Sequence, residues 1–352
     1  MGPLKGIKVI EMAGIGPVPF CGMMLADHGA EVIRVERPSE PTDLADPLNR
    51  SRKIVMIDAK SPEGLVELRE LVRTADVFIE GYRPGVMERL GAGPDVLLAD
   101  NSNLVYARMT GWGQYGPYAP YAGHDINYIA LSGVLHAIGR KDQRPVPPLN
   151  LVGDFGGGAM MLSFAIVSAL LAVRSGGDGQ VIDCAMTDGS ALLNTLTYRL
   201  MAEGNWRDRR GVNLLDSGAH FYDTYECSDG RWIAVGAIEA PFYAELRRRL
   251  GIEHDCAFDD QNNPTQWDSM RSGLAKIFIT RTRDDWCTIL AECDACFAPV
   301  LSLTEAPEHP HNRARGTFTS LGGVLQPAPA PRYSATPCDY PRLPVPMRTS
   351  KS

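Results

Sequence analysis

The sequence predicts an α/β protein: a Rossmann-like large domain built on a parallel sheet, with a smaller α+β domain. Three observations carry this. Apolar runs at residues 7–12, 31–36, 53–58, 76–80 and 104–108 alternate with helical stretches, the signature of a parallel sheet covered by helices. A Gly-, Asn- and Arg-rich stretch ending at Gly218 then separates these runs from differently patterned sequence. The length, 352 residues, suits about two domains.

Residues 7–12 read as the first strand, and 17–28 as a helix opened by Pro17. Residues 31–36 and 53–58 follow as strands. Ser61 then caps a helix with Pro62 at its first position and Glu63 in its first turn. Leu65, Leu68, Leu71 and Val72 give that helix its apolar face. After the strands at 76–80 and 104–108, a Gly/Pro/Tyr-rich loop at 111–123 leads into a helix-like run at 126–138. Residues 155–173 carry no charge and are nearly long enough to cross a bilayer. The triple glycine at 156–158, Ser163 and Ser168 favour a buried core helix, so no stable membrane insertion is expected. A turn at 176–179, a strand at 180–184 and a helix at 190–203 complete the first unit. The second opens near Phe221 with a hairpin over 225–235, turning about Ser228-Asp229-Gly230. From Gln326 the chain is Pro-rich and extended.

A formal net charge of −7 argues against nucleic acid as a partner. The first residues lack the apolar stretch of a secretory signal. A cytoplasmic location with reduced cysteines is expected. Cys293 and Cys296 have C-x-x-C spacing, with His309 and His311 downstream. The H-x-H spacing is too short for the usual zinc pattern, so the reading is chance, with no metal.

Right-handed crossovers place all strand carboxyl ends on one edge, where ligands of open parallel sheets bind. Arg37, Lys60, Arg83 and Arg89 fall there, and their joint placement suits a polyphosphate. Gly14-Ile15-Gly16-Pro17-Val18-Pro19 begins like a dinucleotide fingerprint, but Pro19 stands in place of the third glycine. A nucleotide with an extra ribose phosphate, such as coenzyme A, fits better than a nicotinamide. Three further residues stand out: His124 after a loop, Asp154 beside the triple glycine, and Glu239 at a strand end. Each alone has a plain structural reading. The glycines around Asp154 add a reason for close approach by a ligand.

Several motifs together resemble the α-methylacyl-CoA racemases of the family III CoA-transferase group. They are Gly123-His124-Asp125-Ile126-Asn127-Tyr128, the Asp154 motif at 151–158, Gly236-Ala237-Ile238-Glu239, and the segments at 79–85 and 109–113. The Asp motif is shared with transferases, whereas the His and Glu motifs are those of racemases. The resemblance implies an interlocked homodimer whose active site lies between the large domain of one chain and the small domain of the other. It implies a large CoA-binding domain at 1–190, a linker helix and linker at 191–219, a small domain at 220–325, and a segment at 326–352 returning to the large domain. His124 and Asp154 would be the acid/base pair, with Glu239 holding His124. Arg37, Ile57, Asp58, Ala59, Lys60, Gly81, Tyr82, Arg83, Arg89, Gly123, Asp125, Ile126, Asn127 and Tyr128 would line the CoA site. Coenzyme A would be part of the acyl-CoA thioester substrate, with no separate cofactor. Inverting a carbon beside a thioester requires proton removal on one face and return on the other, which two unlike groups can share. Backbone amides near Asp125 or Asp154 are candidates for the enolate oxygen. The alternative is a family III CoA transferase with Asp154 as nucleophile. The tail at 337–352 departs from the acidic C-terminal helix that the resemblance implies.

Overall fold

A computed structural model describes residues 2–39 and 43–347. The last five residues of the expected C-terminal segment lie outside the described residues. In chain order the elements begin β1 (Lys8–Met12), α1 (Pro17–Asp27), β2 (Glu31–Glu36), β3 (Lys53–Met56), α2 (Pro62–Arg73), β4 (Val77–Glu80), α3 (Val86–Leu90), α4 (Pro94–Asp100) and β5 (Val105–Thr110). Next come α5 (Asp125–Leu131), α6 (Val134–Ala137), a π-helical stretch (Leu151–Met160) running into α7 (Met161–Arg174), β6 (Gln180–Ala185), α8 (Met186–Leu193) and α9 (Thr195–Ala202). Then follow β7 (Tyr222–Glu226), β8 (Trp232–Gly236), α10 (Ala240–Leu250), α11 (Trp267–Phe278), α12 (Arg283–Ile289), β9 (Phe297–Pro299), β10 (Phe318–Leu321), β11 (Val324–Pro327) and β12 (Val345–Pro346).

The chain divides into two units. The first holds residues 2–132, 148–193 and 313–347, the second 133–147 and 194–312. The sequence reading drew a single large unit over 1–190. Instead, the excursion at 133–147 clusters with the second unit because polar anchors hold it there. Arg140 pairs with Asp223, Lys141 Nζ with Asp268 Oδ2 at 2.6 Å, and Arg210 binds the carbonyls of His136 and Gln143. Residues 313–325, expected in the small domain, belong to the first unit.

In the first unit seven strands run in the order β12-β3-β2-β1-β4-β5-β6, every pairing parallel. Both faces of this sheet are covered, so successive residues of a strand enter different cores. Val9, Val32, Val77 and Ile79 pack with α1 and α7. Ile10, Ile33 and Phe78 pack with α2 and α4. This explains the near-continuous apolar runs of the strands. In α2, Ser61 caps the helix by accepting from Gly64 N at 3.0 Å, as the sequence indicates. One reversal of strand order lies between β1 and β4, where a crevice opens at the carboxyl edge.

Buried charges interrupt the strands, and they are paired. Glu11 and Arg34 are register partners in β1 and β2. Arg34 bonds Glu11 Oε1 and Glu36 Oε1, each at 2.6 Å, while Arg52 Nε bonds Glu11 Oε2 at 2.8 Å. Arg52 also donates to the carbonyls of Leu48 and Pro19. Glu11 and Arg52 are fully buried. A Cβ on Gly22 would stand 1.9 Å from Glu11 Oε2, so a glycine in α1 is what lets that helix close over the network.

The C-terminal segment is bound to the same region. Arg50 pairs with Asp27 at 2.5 Å and donates to Gln326 Oε1 and the Pro327 carbonyl. Val345 and Pro346 extend the sheet beside β3. The tail is thus extended, as its prolines suggest, and contributes an edge strand.

Two predicted helices are each divided. Gly133, at φ +83°, separates α5 from α6, and Asn194 separates α8 from α9. Of the long apolar helix, one face holds Leu162, Ile166, Ala169 and Leu170 in the core. The span Leu151–Arg174 is also long and apolar enough to cross a membrane. In the second unit, β7, β8 and β9 form an antiparallel sheet, with the turn where the hairpin was expected. Its core holds Phe221, Tyr225, Trp267, Phe278 and Trp286.

Removing one partner of a buried ion pair leaves an uncompensated charge, at a cost of about 3–5 kcal/mol, whereas exposed pairs contribute about 0–1 kcal/mol. Glu11→Gln is therefore expected to lower the urea midpoint strongly. Glu31→Gln, which breaks the exposed Lys53 pair, should leave it nearly unchanged. Equal small shifts would mean that the network is not a structural anchor.

Candidate active site

The crevice is a cavity of about 860 Å³. Its walls come from the ends of neighbouring strands: Ala13 to Val18 after β1, Glu36 and Arg37 at β2, Gly81 to Pro84 after β4, and Met109 to Trp112 at β5. Arg37 hydrogen-bonds the Tyr82 side chain, and burial raises the Tyr82 pKa. Arg83 is exposed at the rim. Two guanidinium groups thus face a crevice floored by the buried Arg34 and Glu36. Glu80, behind this wall, accepts from Tyr82 N at 2.7 Å and from Arg108 Nε at 3.0 Å. Burial pushes its carboxyl up to about 7.

His124 and Asp154 also line the cavity. His124 is the N-cap of α5, exposed, with its own N–H donated to Asn127 Oδ1 at 3.0 Å. Tyr128, one turn on, donates to the Gly123 carbonyl and packs edge-on against Trp112. A Cβ on Gly111 would stand 2.0 Å from the Tyr128 ring, and one on Gly123 2.7 Å. Both glycines are therefore needed for the loop to wrap that ring. Asp154 lies on the π-helical stretch and is half-buried. Its Oδ2 accepts from Asn150 Nδ2 at 3.3 Å. Burial is the largest cause raising its pKa, and Asp125 adds to it, while Asn150 and His124 act against it. The net shift is upward, which favours a carboxyl able to give as well as take a proton.

The glycines after Asp154 have a structural explanation. A Cβ on Gly189 would stand 1.8 Å from the Gly157 carbonyl oxygen, and one on Gly157 2.5 Å from Ser190 N. Gly157 and Gly189 thus let α8 touch the π-helical backbone, a requirement that involves no ligand. One candidate donor for an enolate oxygen is also removed, because the Asp154 amide is already given to Asp125 Oδ1 at 2.7 Å.

Of the residues expected at the site, Arg37, Gly81, Tyr82, Arg83, Gly123, His124, Tyr128 and Asp154 share this cavity. Others lie elsewhere. Ile57 is a core residue, and Ala59 is half-buried against the same core. Asp58 shapes the turn into α2 by accepting from Lys60 N at 3.0 Å. Lys60 and Arg89 are exposed and stand apart from the cavity walls. Asp125 is buried. Ile126 is exposed, and Asn127 lines an adjoining groove with Trp112, Tyr118 and Tyr121. Glu239 belongs to the second unit, exposed at the N-cap of α10.

Sequence reasoning missed Asn150, although it stands one helical turn before Asp154. The Gly14–Gly16 turn was set aside as a failed fingerprint. It nevertheless forms the wall opposite Asp154. Gly16, at φ +66°, would put a Cβ 3.3 Å from Asp154 Oδ2.

Comparison with known proteins agrees with this architecture. The chain is 46% identical over 335 residues to an alpha-methylacyl-CoA racemase of Mus musculus, covering 95% of this chain and 87% of that protein. The corresponding Homo sapiens protein is 44% identical over the same shares. A crystal structure of a CaiB/BaiF family protein from Brucella suis superposes with a TM-score of 0.81 at 28% identity, covering 97% of this chain and 96% of that one. The profile of CoA-transferase family III matches residues 4–350. With the parallel sheet, the crevice at its switch point and this match over nearly the whole chain, the protein belongs to CoA-transferase family III.

Proposed function

We propose that this protein is an isomerase that interconverts (R)- and (S)-2-methylacyl-CoA thioesters by moving a proton between the two faces of the α-carbon. The observation that carries it is the placement of His124 and Asp154 in one cavity with Arg37 and Arg83. The identity to two racemases supports the same reading. One of the pair removes the α-proton, the thioester stabilises the charge as an enolate, and the other returns a proton to the opposite face. Arg37 and Arg83 bind phosphates of the coenzyme. Coenzyme A is part of the substrate, and the exchange of a proton calls for no redox partner. The amide of Asp125, first residue of α5, is the remaining candidate donor to the enolate oxygen, since that of Asp154 is engaged.

The proposal includes a homodimer in which Glu239 orients His124 of the partner subunit. Glu239 is exposed at a strand end, available to a second chain. On α7, Phe164, Val167 and Leu171 form an exposed apolar stripe, with Phe164 71% and Leu171 68% exposed. Such a stripe favours burial against another chain. Eight free cysteines suit a reducing compartment such as the cytoplasm.

The alternative, a CoA transferase using Asp154 as nucleophile, is separated by deuterium incorporation at the α-carbon. A racemase washes deuterium in without any acyl acceptor. Incorporation that is absent, with thioester turnover appearing only when an acceptor acid is added, would make the transferase correct.

Arg37→Ala and Arg83→Ala are expected to raise KM for the CoA ester with a smaller effect on kcat, the pattern of lost uniform binding. Unchanged KM in both variants would remove these residues from phosphate binding.

A further inference from the structure

Asp125 stands between the two proton-transfer groups and has no role in the chemistry above beyond its amide. It is peptide-bonded to His124, and the residue is 6% exposed. Its Oδ1 accepts the Asp154 amide at 2.7 Å, across 29 residues of sequence. That is a short, charge-assisted bond from a carboxylate to a backbone donor. Gly153 is shaped for it, since a Cβ there would stand 2.5 Å from Asp125 Oδ1. The other oxygen, Oδ2, is buried with no hydrogen-bond partner among the described residues. An unpaired buried carboxylate oxygen costs free energy.

We propose that Asp125 is a positioning residue: its carboxylate grips the Asp154 backbone and so fixes how His124 and Asp154 face each other across the α-carbon. This rests on the two-base reading. The link is rigid because one end is a peptide bond and the other a short hydrogen bond. A misplacement of about 1 Å between reacting groups can lower the rate on the order of 10²-fold. The same carboxylate puts negative charge beside Asp154 and contributes to its raised pKa. The other titratable groups facing Asp154 are His124, beside Asp125, and Tyr128 on α5. The Gly14–Gly16 turn and Met186 of α8 bring no charge to it.

Asp125→Asn keeps an oxygen for the Asp154 amide and removes the charge, while Asp125→Ala removes both. Infrared difference titration, with Asp154→Asn as the subtracted reference, reads the Asp154 carboxyl directly. In Asp125→Asn its pKa should fall, because the neighbouring negative charge is removed. The acidic limb of α-proton abstraction by Asp154, followed in His124→Ala, should move to lower pH with it. Asp125→Ala should lose on the order of 10²-fold in kcat with KM for the CoA ester unchanged. In Asp125→Ala, a raised KM with normal kcat would overturn the proposal and make Asp125 a coenzyme contact, and an unchanged kcat with an unshifted Asp154 carboxyl in Asp125→Asn would overturn it outright. A shifted carboxyl in an enzyme that exchanges no α-proton would keep the positioning role and remove the racemase reading instead.

Discussion

The wall of the site depends on one buried carboxylate. Glu11, wholly out of water, holds Arg34 of the next strand and Arg52 from the chain before β3. Arg52 reaches back to Pro19 in α1, and Arg34 reaches the Gly14 carbonyl at 3.3 Å. The network therefore ties β1, β2, the entry to β3, the first turn of α1 and the glycine turn at the cavity. Desolvating such charges is costly, and only close pairing offsets it. In return, their carboxylate and guanidinium geometry fixes the directions of the strand ends. Gly16, at the far end of that turn, lies against Asp154. A buried charge more than 100 residues away in sequence is in this way connected to the site through a few contiguous contacts.

The opposite wall is built by close backbone approach. Gly157 and Gly189 bring α8 against the π-helical stretch, Gly153 admits Asp125, and Gly111 and Gly123 wrap Tyr128. Each contact excludes a Cβ. His124 and Asp154 sit beside these contacts, one at the N-cap of α5 and the other within the π-helical stretch. Half-burial of Asp154 then raises its pKa, the direction that two-way proton transfer requires.

The sheet was legible in the sequence because doubly covered parallel strands read as unbroken apolar runs, and Pro17, Ser61 and Pro62 mark helix starts. Arg37 and Arg83 were legible through their joint placement at strand ends, whereas His124 and Asp154 were joined to them by the family resemblance of their motifs. Other features were not. The placement of 133–147 is decided by ion pairs to Asp223 and Asp268, which no local pattern encodes. Arg50 and Arg52 look like surface charges until their partners in α1 and β1 are known. The triple glycine invited a ligand reading because the α8 backbone it meets is some thirty residues away. Ile57 to Ala59 were assigned from a resemblance; the Ile57 side chain enters the core and Asp58 turns the chain into α2.

The central claim, that His124 and Asp154 serve opposite faces of one carbon, is tested most directly by comparing α-deuterium incorporation with epimerisation from each pure enantiomer. His124→Ala should wash deuterium into one enantiomer faster than it inverts it, and Asp154→Ala should show the mirrored preference. The loss on the affected face should be on the order of 10²–10⁴-fold, as for a positioned acid–base group. Equal loss of exchange from both enantiomers in both variants, with fold and CoA-ester binding intact, would contradict the two-base division and leave Asp154 as a nucleophile.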